Sequence, residues 1–321
     1  GDWPGDDPVM IEDHAYRPIA RDVWGEPPRI AVVYALGMCA MDSGIRARTL
    51  VKDIEAAVED RHVKAVVLRI DSPGGDALAS DRVAEAVRQG REHKPFVISQ
   101  GSVAASGGYW LSMYGDEVIA APNTVTGSIG VIGGWIYNQG LKEKLALTTD
   151  HVQVGRHADA AFGMSLPLIG VQLPDRNLNE TEKARVEHVI RTTYDQFVSK
   201  VADGRERTPE EIDQIAQGRI WSGTRALDVG LVDRLGGLDV AINVAKQRAG
   251  IEGVTANIVE YPRLSLFDAD LLRPQLLGMG NRTPDQLEAG YSASDYWRFR
   301  LERNGEPLLL MPMDQALRLG D

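Results

Sequence analysis

Past its first 28 residues, this chain alternates short apolar runs with stretches of helical periodicity. Residues 30–36 form an apolar run fit for a buried strand. Leu50, Ile54, Ala57 and Val58 then recur at helical spacing. Residues 65–70 read as a second buried strand, ending at a Pro73-Gly74-Gly75 turn. Residues 77–91 read as a helix, 96–99 as a third strand leading into Gly101, 104–113 as a helix and 117–121 as a fourth strand. Strands alternating with helices predict βαβ units and a mainly parallel sheet, hence an α/β fold. In such sheets reactive groups gather where strands hand over to helices.

Two later helices carry start signals. Asn179 with Glu182 three residues on reads as a cap and its partner, opening a long helix through Val201. Its apolar stripe is Val186, Ile190, Tyr194, Phe197 and Val201. Thr208-Pro209-Glu210-Glu211 is a second start, with proline at the first helical position. Residues 1–28, rich in Asp, Pro and Trp, lack periodicity and read as a linker or arm. Residues 29–250 form one domain. From residue 251 the pattern decays, and residues 251–321 read as a tail packing on a neighbouring surface, with apolar clusters such as Leu308-Leu309-Leu310-Met311.

Composition changes this picture only by exclusion. A net charge of −11 over 321 residues, with a pI near 5.1, argues against a nucleic-acid partner. Cys39 is the single cysteine, so an intrachain disulfide is impossible. No apolar run approaches the ~18–20 residues of a membrane span. The first residue is Gly, not Met, and the expectation is a fragment or processed product whose anchor or export signal lies upstream.

The candidate chemistry sits at the predicted junctions. In GSVAASGGYW, residues 101–110, Ser106 stands between alanines and a glycine pair. There it suits a helix start with its oxygen open to a substrate; the plain alternative is a small residue for close helix packing. Asp71-Ser72-Pro73-Gly74-Gly75-Asp76 follows an apolar strand and frees backbone N–H groups for an oxyanion, or is merely an ordinary turn. Ser128, in Thr126-Gly127-Ser128-Ile129-Gly130, is a site residue or a turn cap. No His, Cys or acidic spacing matches a metal motif.

These three motifs, in this order, resemble the signal peptide peptidase A (protease IV) family, over roughly residues 29–249. The resemblance implies a Clp protease/crotonase-like spiral of repeated ββα units and a serine peptidase with a lysine base. It implies Ser106 as nucleophile, Gly74, Gly75 and Gly107 as the oxyanion hole, and Ser128 as the group orienting the lysine. No metal or organic cofactor is implied. Substrates would be released hydrophobic signal peptides, cleaved in a homo-oligomeric ring on the periplasmic side of a bacterial inner membrane.

The base departs from the family. In single-domain members a lysine stands in a short segment that corresponds here to residues 154–160. Ala158 occupies its position. Three explanations compete. The long form of the family holds two tandem copies; its C-terminal copy keeps the serine, carries Ala-Asp at this place, and takes its lysine from the N-terminal copy. Ala158-Asp159 fits that form. Alternatively a one-domain enzyme has lost its lysine, or His157 acts as base with Asp159 orienting it. Outside peptidase chemistry stand two rivals: a catalytically silent assembly half, and an acyl-CoA hydratase or isomerase of the same fold.

Overall fold

The computed structural model describes residues 26–138, 140–166, 171–262, 299–301, 303–304 and 306–310. In chain order the elements are β1 (Arg29–Leu36), α1 (Ala47–Glu59), β2 (Val63–Ser72), β3 (Gly74–Asp76), α2 (Ala77–Gly90), β4 (Phe96–Ala105) and α3 (Gly107–Ser112). Then come β5 (Glu117–Ala120), β6 (Val125–Gly127), α4 (Leu141–Lys144), β7 (Gly163–Leu166), β8 (Val171–Pro174), α5 (Glu180–Gly204) and α6 (Pro209–Ile215). The chain closes with β9 (Ile220–Ser222), α7 (Gly223–Asp228), β10 (Arg234–Leu235), α8 (Leu238–Arg248), β11 (Asn257–Tyr261) and β12 (Leu308–Leu310).

The main sheet runs β10-β5-β4-β2-β1-β11, with every pair parallel. β6 joins the end of β4 in parallel, and β9 pairs antiparallel with β6. The architecture is the expected mixed α/β one with a mainly parallel sheet. Parallel strands covered on both faces need apolar residues at successive positions, which is why these strands read as unbroken apolar runs. Ala31, Val33 and Ala35 face the core shared with α1, α2 and α3. Ile30 and Val32, with Ala65 and Val67, face α8 and meet Ala241, Val244 and Ala245. Each of the valines and isoleucines among them, once fully buried, stabilises the fold by about 1.5–3 kcal/mol.

Several expected boundaries move. β4 does not stop at residue 99 but runs on to Ala105, so residues 104 and 105 are strand rather than helix. The irregularity at Gly101 is absorbed by Asp71, whose carboxylate accepts the N–H groups of Ser102 and Val103, both at 3.1 Å. A Cβ at Gly101 would lie 2.6 Å from that carboxylate. Gly74 and Gly75 form a short strand, β3, rather than a simple turn. The boundary at residue 250 falls inside the fold, because β11 pairs with β1 from Arg29↔Asn257 to Val33↔Tyr261. Of the 1–28 segment, residues 1–25 lie outside the described residues. Both later helix starts form complete capping boxes, Asn179 with Glu182 and Thr208 with Glu211.

Candidate active site

Ser106 occupies the junction where β4 becomes α3. Its amide donates to the Gly127 carbonyl at 2.8 Å and its carbonyl accepts from Trp110 N–H at 2.9 Å. Between these anchors the backbone takes φ 54° and ψ −114°. This is a strained combination for a residue with a side chain, outside even the left-handed helical well. A sharp, strained strand-to-helix turn presents a serine hydroxyl clear of its own backbone. Ser106 is nonetheless fully buried, and its Oγ donates to the Gly130 carbonyl at 3.3 Å. The expected openness of this hydroxyl is therefore absent in this conformation.

The register Ala105↔Gly127 sets Ser128 beside Ser106 at the ends of adjacent strands. Ser128 is also buried, at φ 48°, and its amide donates to the Arg219 carbonyl at 2.7 Å. The two serines thus stand at neighbouring strand ends.

The glycines pack against the serine's turn. Gly74 has φ 98°, and a Cβ there would lie 1.9 Å from the Leu309 carbonyl oxygen and 2.6 Å from the Gly107 nitrogen. A Cβ on Gly107 would lie 3.0 Å from Gly74 Cα and 3.1 Å from Gly75 N. Only bare backbone allows this approach. The three candidate donors are not equivalent. Gly74 N–H already donates to Ser72 Oγ at 3.2 Å. Gly75 and Gly107 are the two remaining candidates, with Gly75 set opposite Leu309 in the β3–β12 pair.

Asp71 and Ser72 are contributors that the sequence reading quoted without a role. Asp71 sets the kink of β4 ahead of Ser106, and Ser72 orients Gly74. The signal available was an acid and a hydroxyl ahead of the glycine pair. Cys39 lies beneath them, with Sγ 3.3 Å from Ser72 Oγ. Burial pushes its thiol up to about 11, so it stays protonated and unreactive at neutral pH.

The position expected to carry the base holds Ala158. Ala158 is exposed. Its neighbours are held elsewhere: Arg176 grips both oxygens of Asp159 at 2.7 Å, and His157 Nδ1 lies 2.8 Å from Glu182 Oε1. Asp159 is therefore not oriented toward His157, which removes the basis for a His157–Asp159 base pair. Lys142 pairs with Asp175 at 2.6 Å, Lys183 pairs with Glu180 at 2.8 Å, and Lys94 donates to the Ala57 and Asp60 carbonyls. Lys200 is held by Asp81.

Glu182 ties this network to the start of α5. The Arg176 guanidinium, followed by the Asn179 amide and His157, holds its carboxyl well below the usual carboxylate range, against the opposing pull of burial. A depressed carboxyl contributes stability above its unfolded value, ~4.3, that is lost as pH falls toward the folded value. Residues 155–160 are thus expected to show weaker hydrogen-exchange protection at pH 3 than at pH 6. Equal protection at both, after correction for intrinsic rates, would show that the network does not hold this segment.

Comparison with known proteins bears on the whole arrangement. Residues 88–252, more than half the chain, match the model of peptidase family S49. Protease 4 of Salmonella typhi is 37% identical over 229 residues, covering 70% of this chain and 35% of that protein. A putative signal peptide peptidase SppA of Enterococcus faecium is 33% identical over 204 residues, 63% of this chain and 56% of that one. A putative protease of Synechocystis is 32% identical over 275 residues, covering 84% of this chain and 92% of that protein. The chain spans about a third of the length of protease 4. Strained serine, glycine pair and sequence similarity agree: this chain belongs to peptidase family S49, with the protease 4 and SppA proteins.

Proposed function

We propose that this chain is the serine-bearing part of a peptidase that cleaves released hydrophobic signal peptides and similar extended peptides. The observation that carries the reading is the strained Ser106 turn packed onto Gly74 and Gly75. Ser106 Oγ attacks the peptide carbonyl, and a base takes the hydroxyl proton. The N–H groups of Gly75 and Gly107 hold the oxygen that gains charge. The base returns the proton to the leaving amine, and water then cleaves the acyl-serine.

The base in this proposal is a lysine brought by an N-terminal half, a second copy of the fold. Ala158 supports this, as do the exposed apolar side chains of the stretch before it: Leu145, Leu147, Val152 and Val154, the last two almost completely exposed. Exposed apolar side chains gathered on one segment mark a docking face. A lysine enclosed there would lose its solvation, and its pKa would fall toward neutrality. The same contacts would build a homo-oligomeric ring. By its resemblance the site would face the periplasm at a bacterial inner membrane; among the described residues no helix is long and apolar enough to cross one.

A fluorophosphonate probe tests the reading. Ser106 is expected to be labelled when the lysine-bearing part is present, and Ser106→Ala to abolish both labelling and peptide hydrolysis. Undiminished hydrolysis by Ser106→Ala would overturn the assignment. Acyl-CoA turnover that survives in Ser106→Ala would favour the hydratase or isomerase reading. Inertness in every combination would favour a silent assembly half.

A further inference from the structure

We propose that residues 306–310 are a built-in occupant of the peptide groove, a tethered strand lying where an extended substrate would lie. The inference rests on the reading of that groove as a peptide site. β12 pairs antiparallel with β3, Leu308↔Asp76, Leu309↔Gly75 and Leu310↔Gly74. On its other edge Leu308 exchanges both backbone hydrogen bonds with Ile132, at 2.8 and 2.9 Å. Successive residues of a strand turn their polar groups to opposite edges. Leu309 therefore addresses Gly75, one of the two proposed oxyanion donors. The strand is sandwiched between two backbones, the geometry of a peptide bound by strand addition.

The side chains follow the same alternation. Leu308 and Leu310 share an apolar cluster with Met38, Ala40, Ile132 and Phe299. Leu309 points the other way and is buried in the main core. The groove therefore accepts aliphatic side chains on both of its faces, and the chain's own Leu-Leu-Leu supplies them.

Further contacts fasten the segment. Asn304 pairs with Ile136 as another backbone would, accepting its N–H at 2.8 Å and donating to its carbonyl at 2.6 Å. Arg303 stacks over Phe299 at 4.5 Å and lies 3.7 Å from the Asp76 carboxylate. Asp76 also caps α2 through Ala79 N–H, so the tether reaches the glycine strand itself. The complete burial of Ser106 agrees with a filled groove.

A segment of the same chain competes with a free peptide at an effective concentration on the order of mM. Peptides should therefore bind weakly until the segment leaves. The experiment uses the full chain and a fluorescein-labelled peptide, Glu-Pro-Leu-Leu-Leu, that copies residues 306–310. Asn304→Ala and Leu309→Asp are each expected to tighten its binding at least about tenfold over the parent, with melting curves confirming that each variant is folded.

Equal affinity in the parent and in folded variants would overturn the proposal. The unaltered chain gives a second reading that needs no variant. Added peptide at about 10 mM should speed hydrogen exchange of residues 306–310 while residues 74–76 stay protected; unchanged exchange at 306–310 would also overturn it. Fluorophosphonate labelling separates this proposal from the nucleophile assignment. Tighter peptide binding with no labelling of Ser106, even after the lysine-bearing half is added, would leave the tethered strand standing and sink the serine.

Discussion

Ala158→Lys is expected to leave peptide hydrolysis by this chain within about twofold of the parent, because an exposed lysine keeps its ordinary pKa near 10.4. At pH 7 only about one such amine in 2,500 is neutral, and only the neutral form accepts a proton. Ala158 is solvent-exposed, and the salt bridges of its neighbours to Arg176 and Glu182 fix its segment there. A lysine at this place gains no desolvation to lower its pKa. Adding the lysine-bearing half should instead raise the rate by ~10²–10⁴, the usual contribution of a general base. A fluorogenic hydrophobic peptide measures both. A hundredfold gain from Ala158→Lys alone would show that this chain is a one-domain enzyme lacking only its base.

The second large effect concerns Gly75. With φ 153°, a Cβ there would lie 2.3 Å from the Cys39 carbonyl oxygen and 2.8 Å from the Cys39 nitrogen. Both obstacles are backbone, so β3 itself must move. Gly75→Ala should cost about 3 kcal/mol, a fall of roughly 5–10 °C in Tm. Because the displaced N–H is a proposed oxyanion donor, labelling of Ser106 should slow by ~10²–10³ as well. Gly155 provides the control. It also has positive φ, 110°, but nothing lies within 4 Å of a Cβ built on it. Gly155→Ala should carry only the conformational term, about 1–2 kcal/mol or less, and leave labelling unchanged. Similar losses in both variants would mean that backbone strain, not crowding at the site, governs Gly75.

What the sequence disclosed and what it hid divide along physical lines. The buried strands and the two capped helices were legible because each is specified by residues adjacent in the chain. The same is true of the serine turn, whose alanine and glycine neighbours announce close packing. Gly101 misled as a strand end because the carboxylate that repairs the strand, Asp71, belongs to β2. β6 and β9, three residues each, are too short to show a period, and they exist because each completes the other. β11 carries a mostly exposed edge, so its burial pattern is faint; partner β1 defines it across more than two hundred residues. β12 was hidden for a similar reason, since Leu308–Leu310 reaches the Gly74–Asp76 strand from the far end of the chain.

The backbone next to Ser128 has a bearing on how proteins of this shape could diversify. Ser128 N–H donates to Arg219 and Gly218 N–H to Ile129, so the chain departs from the sheet and returns to it through a single gap. A Cβ on Gly130 would lie 2.8 Å from Gly218 Cα. Between these clasps lie α4, the β7–β8 hairpin, α5 and α6; Phe197, Val201 and Ile212 of the last two belong to the main core, so the replaceable excursion is the stretch from α4 to β8. Doubling the length of such a loop costs only ~0.6 kcal/mol of closure entropy. Evolution could therefore exchange the stretch from α4 to β8, one docking arm for another, while α5 and α6 keep their core contacts and the strands that hold Ser106 remain untouched.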